Sequence, residues 1–147
     1  MFVRITKSYS ARLIVLIMTV VFIITACSES QEVTESPAYL PKSGDEDLVL
    51  GGVSLDESEV LIEKGDSPKY SLSLIGHLPT PCHQLRVEIL DPNEKNEVLF
   101  NVYSVSKPGE ICAQVLEPFE TVVLIPEFPA GEYKILVNGE QVGEISQ

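Results

Sequence analysis

From Lys69 the chain reads KYSLSLIGHL, with Tyr70, Leu72 and Leu74 set against serines. A period of two places every second side chain on one face, the pattern of a strand with one buried side. HQLRVEIL repeats it with Leu85, Val87 and Ile89, and GEYKILVNGEQVGEI with Tyr133, Ile135 and Val137. The last run turns at Asn138-Gly139, a pair that supplies the positive φ angles of a two-residue type I′ hairpin. EVLFNVYSV and FETVVLIPEF are apolar on both faces and read as central strands. SPK, LPTP, DPNEKNE, KPGE and FPAGE punctuate these runs at intervals suited to short strands. No segment sustains a 3.6-residue apolar period over three turns.

The pattern predicts strands over 48–55, 57–64, 68–77, 84–90, 97–106, 120–126 and 132–138, and 141–146 offers an eighth. Short strands with a turn signal every 8–12 residues argue for an all-β, two-sheet sandwich with immunoglobulin-like topology. Residues 48–147 suit its size, with a small open barrel as the competing architecture.

The preceding residues have another character. Residues 1–26 carry Arg4, Lys7 and Arg12 and no acid, and Ala11–Ala26 is almost wholly apolar. A basic start and a short apolar core describe a secretory signal, too short for a bilayer span. Ile24-Thr25-Ala26-Cys27 then resembles the lipobox of bacterial lipoproteins. The resemblance implies cleavage before Cys27 and acylation of that cysteine with palmitate-type chains, which anchor a protein stably when two or three are present. It places the protein outside the cytoplasm, on the outer face of a cell membrane or in an outer membrane. Residues 27–47 follow as the lipidated cysteine and an acidic, proline-containing segment expected to be a flexible tether.

Of 10 basic and 22 acidic residues, three basic ones leave with the signal, so the remainder carries about −15. Such a surface repels phosphate backbones and anionic headgroups, which excludes nucleic acid as a partner and leaves membrane contact to the lipid.

Two further cysteines remain, Cys82 and Cys112. In an exported β domain an even pair reads most simply as one disulfide. Closing that loop would stabilise the fold by roughly 3–4 kcal/mol. Three other readings compete. Cys82 beside His83 could be a nucleophile with its base, although neighbours on a strand face opposite ways. His77, Cys82, His83 and Cys112 could supply four zinc ligands, at a spacing that matches no finger or ribbon. The two thiols could also form a redox pair, without the Cys-x-x-Cys that lowers a thiol pKa. Neither a metal nor another cofactor is expected. DPNEKNEV, with Asp91, Asn93, Asn96 and Glu97, lacks the glycine and closing acid of a calcium loop and reads as a polar hairpin turn.

GHLPTPCHQLRVEI and EICAQVLEPFETVVLIPEFPAGEYKILVNGE together resemble a two-cysteine module of exported bacterial proteins and lipoproteins, several from filamentous Chloroflexota-type bacteria. The shared features are a Gly-x-Leu-Pro turn before Cys82, the cysteine of CAQVLEPFE and the closing PAGEYKILVNGE, over roughly residues 55–140. The resemblance implies an immunoglobulin-like sandwich and supports pairing Cys82 with Cys112. It carries no activity. This chain departs from it at Pro79-Thr80-Pro81, where members commonly have Pro-Asp, and in a shorter turn before PAGEY.

The functional expectation is therefore a lipid-anchored, non-enzymatic binding or structural module with an envelope or extracellular protein as partner. Its contacts are expected in loops 76–83 and 107–119, with His77, Leu78, Pro79, Thr80, Pro81 and His83 as candidate binding residues. An inhibitor of proteases or cell-wall hydrolases that inserts LPTPCHQ is the first alternative, and a thiol-dependent enzyme the second.

Overall fold

A computed structural model describes residues 37–65 and 68–147; the expected signal peptide and Cys27 lie outside them. Eight strands follow a single 3-10 turn at Asp45–Asp47: β1 Val49–Gly51, β2 Ser54–Glu63, β3 Lys69–Leu78, β4 Gln84–Ile89, β5 Glu97–Ser106, β6 Glu117–Leu124, β7 Glu132–Val137 and β8 Glu140–Ser146. They form a two-sheet sandwich of five and three strands, so the immunoglobulin-like reading holds and the barrel is excluded.

The smaller sheet has the order β2-β3-β6, all antiparallel. In β3 the alternation buries Tyr70, Leu72 and Leu74 and leaves Ser71 and Ser73 on the outer side. The larger sheet centres on β5. β4 runs antiparallel along one of its edges, over Phe100–Val105. Because β1 also pairs at Ser104 and Val105, β1 must occupy the opposite edge, where it shares β5 with the parallel strand β7 at Glu97–Phe100. β8 folds back on β7.

Asn138 fills the gap between β7 and β1 on that edge. Its amide oxygen accepts from the Val102 N–H at 2.8 Å and its amide nitrogen donates to the Val102 carbonyl at 3.0 Å. The residue thus acts as a missing strand position, and its φ of 50° with Gly139 at 90° closes the expected tight hairpin.

The core between the sheets includes Leu72, Leu74, Val87, Val98, Phe100, Val123 and Ile135. Each such side chain contributes roughly 1.5–3 kcal/mol when taken fully out of water.

Three expectations change. β1 spans only Val49–Gly51 instead of 48–55. β6 starts at Glu117 and is an edge strand, although its two apolar faces suggested a central one; Val122 and Leu124 face outward and are exposed. Residues 37–47, read as part of the tether, are fixed to the domain. The Val87 N–H donates to the Tyr39 carbonyl at 2.8 Å, which adds this segment to the outer edge of β4. Arg86, only 2% exposed, grips Asp45 through two bonds of 2.7 and 3.0 Å and also donates to the carbonyls of Ala38 and Leu85. That bond from the guanidinium, joined by one from the Lys42 N–H, draws the Asp45 pKa down to about 2.

Candidate functional site

Two crossovers between the sheets meet at one end of the sandwich. Residues 79–83 lead from β3 to β4, and residues 107–116 lead from β5 to β6. Cys82 and Cys112 join them in a disulfide with a Cα separation of 6.0 Å, and the Cys82 N–H points to the Cys112 sulfur at 3.1 Å. Both sulfurs are thereby used. No free thiol remains at either position for a nucleophile or a zinc ligand.

The first crossover is folded inward. Thr80 is 6% exposed, and its hydroxyl lies 2.8 Å from Nδ1 of His83. The His83 N–H donates to the Thr80 carbonyl, closing the turn. The His83 ring lies beside β1 at Gly51, where an added Cβ would come within 3.5 Å of it. Leu78 is buried as well, so of the candidate residues in this loop only Pro79 and Pro81 are exposed. His77 lies elsewhere, on the β2–β3 pair, with Nδ1 2.9 Å from an oxygen of Asp56. The structure therefore separates the two histidines: one braces a loop and the other meets a carboxylate at a β-bulge.

The second crossover is the reverse. Apart from the half-buried Cys112, every residue from Lys107 to Leu116 is exposed. Ile111 is 98% exposed, and Val115 and Leu116 are exposed too. A segment this open would ordinarily be too costly to order, but here the disulfide holds it at its centre. The sequence reading marked 107–119 only as a range. The signal for these three residues was apolar side chains inside a Pro-Gly-punctuated stretch with no period of two.

Among the described residues no group of three or more His, Cys, Asp or Glu is placed to hold a metal ion. The DPNEKNEV turn is internally satisfied: the Asn93 side chain accepts from the N–H groups of Lys95 and Glu97 and donates to the Glu97 carboxylate.

Residues 72–146, from the middle of β3 to the end of β8, match the family model of the ORF11 beta-sandwich domain. The chain belongs to this family. The match takes in both cysteines and both crossovers and leaves β1 and β2 outside. No curated protein and no solved structure matches the chain. The ORF11 beta-sandwich domain thus supplies a fold, and the disulfide end carries Ile111, the most exposed large apolar side chain among the described residues.

Proposed function

We propose that the protein is a lipid-anchored cell-envelope module that binds another protein without catalysis, through the crossover at 107–116. One observation carries this: Ile111 stands 98% exposed next to Cys112, whose disulfide ties the crossover to residues 79–83. Apolar side chains held out in a rigid loop favour association, because little ordering entropy remains to be lost on binding. The partner class that fits is a protein with an apolar pocket at an envelope or extracellular surface. The lipobox-like Ile24-Thr25-Ala26-Cys27 supports the anchor, with Cys27 as the acylated residue.

The inhibitor reading loses support, since Leu78 and Thr80 of the presumed inserting loop are buried in the domain. With both sulfurs of Cys82 and Cys112 bonded, the thiol-enzyme reading lacks its nucleophile.

The test is capture from a cell-envelope extract on the immobilised chain and on Ile111→Asp/Leu116→Asp. A partner retained by the first and lost by the second supports the reading. A partner held equally by both removes the loop from it. Labelling with a palmitate analogue, lost on Cys27→Ala, checks the anchor separately.

A further inference from the structure

The sandwich has two long seams where the edge of one sheet meets the edge of the other. On the β2–β8 side the sheets touch at mid-seam, where an added Cβ at Gly143 would lie 2.7 Å from Val60 Cγ2, and a smaller pocket of about 190 Å³ opens at the Leu55–Ser58 end. Val142 packs on the core beside it. On the other side β6 faces the edge of β4 across a cleft of about 280 Å³, lined by Tyr39, Leu85, Phe119 and Thr121 among others. The β4 edge is covered by the Tyr39 carbonyl. The β6 edge is not covered: β6 pairs with β3 alone, and no loop backbone bond among the described residues reaches Glu117–Leu124.

An unpaired edge is a template for another strand, and natural edges are usually blunted by bulges, prolines or inward charges. Pro118 blunts the start of β6, but from Phe119 to Leu124 there is no proline and no shift in register with β3. The outer face of this stretch is apolar, with Val122 at 49% and Leu124 at 70% exposure. Across the sheet, Leu124 shares a row with Ser71 and Leu61, and Val122 a row with Ser73 and Glu59. Two serines thus form a low floor beside an apolar wall.

Charge decides the occupant. Glu117 and Glu120 lie on β6, Glu127 just beyond it, and Glu57 and Glu59 on the same outer face; Lys42 and Lys69 stand at its margins. A second copy pairing along β6 would set these carboxylates against each other, with a net charge of −12 on each chain.

We propose that the free edge of β6 is a docking site for an extended, basic segment of another polypeptide, which adds to the β2-β3-β6 sheet as a fourth strand. Main-chain hydrogen bonds along β6 supply the affinity, and alternate side chains supply the selectivity. On the outer face apolar side chains lie beside Val122 and Leu124 and a Lys or Arg beside Glu120, which shares that face in a row with Ile75 and Glu57. This surface is separate from the 107–116 crossover, so either assignment can fail without the other.

The experiment uses the full chain in detergent at physiological salt. The probe is a labelled eight-residue peptide in which threonines alternate with lysine, valine, valine and lysine on one face, and the control carries the same charge with prolines at the two valines. The expected result is at least tenfold tighter binding of the alternating peptide, with slowed amide exchange confined to β6. Val122→Lys/Leu124→Lys should weaken that binding at least tenfold, and Ile111→Asp should leave it unchanged. Equal affinity for the two peptides, absence of binding, or exchange protection elsewhere overturns the proposal. So does self-association through β6 that excludes the peptide. Exchange is read on the unmodified chain, so the test stands even if the lysine variant does not fold.

Discussion

The two crossovers joined by the disulfide are held by different means. Residues 79–83 are fastened several times over: Thr80 is buried, its hydroxyl meets His83, and the His83 ring lies against β1. Residues 107–116 bury almost nothing and depend on Cys112. Segments that satisfy their polar groups and fill space contribute to stability. A segment that buries almost nothing and makes few hydrogen bonds depends chiefly on its covalent link, and its apolar side chains stand in solvent.

The most severe way to break this contrast is to remove the link. Cys82→Ser/Cys112→Ser should lower unfolding free energy by about 3–4 kcal/mol in urea titrations. The two loops should then diverge. A glutamate-specific protease should cut after Glu110 in the variant well before it cuts the folded parent, while amides around Thr80 and His83 keep their exchange protection. Equal loosening of both loops would mean that 79–83 also depends on the bridge.

The strap at 37–47 sharpens the comparison, because Arg86 and not a disulfide fixes it to β4. The Asp45 carboxyl has a native pKa of about 2 against an ordinary 3.8. Its contribution is therefore fully present above pH 3.8 and is lost as pH falls through about 2. Urea midpoints measured from pH 5 to pH 2 should fall more steeply for the parent than for Asp45→Asn. Parallel curves would show that the pair does not fasten the strap.

A smaller effect is expected at the inward loop itself. Thr80→Val keeps the volume and deletes the hydroxyl, which leaves Nδ1 of His83 without its partner; a loss of about 1 kcal/mol should follow. The disulfide should still form, as intact mass after alkylation without reduction would show. A stability unchanged by the substitution would leave the bridge alone responsible for both loops.

How much of this the sequence carried depends on the range of the interaction. Strands β3, β4, β5 and β7 were legible to within about two residues because one buried face forces a local period of two. β6 was legible as a strand but not as an edge. Val122 and Leu124 look the same in sequence whether or not a neighbouring strand covers them. The strap was misread because Pro37, Pro41 and its acids resemble a linker, and the residue that orders it is Arg86, 41 positions from Asp45. Arg86 sits in an alternating strand where an outward, solvated arginine is the ordinary reading. Asn138 was legible as a turn residue through its glycine, but its bonds to Val102 span 36 positions and have no local trace.

The smallest expected effect on stability falls on Ile111, and that is the sharpest test of the contrast. A residue 98% exposed has almost no contacts to lose, so Ile111→Asp should change unfolding free energy by less than about 0.5 kcal/mol. The disulfide beside it should remain intact. A core isoleucine replaced by aspartate would instead bury an unpaired charge and unfold a domain of ordinary stability. Urea titration separates these cases by several kcal/mol. If Ile111→Asp is neutral for folding and abolishes partner capture, the apolar side chain serves association alone. If it destabilises the fold, then the crossover packs on the domain in solution, and the difference between the two loops disappears.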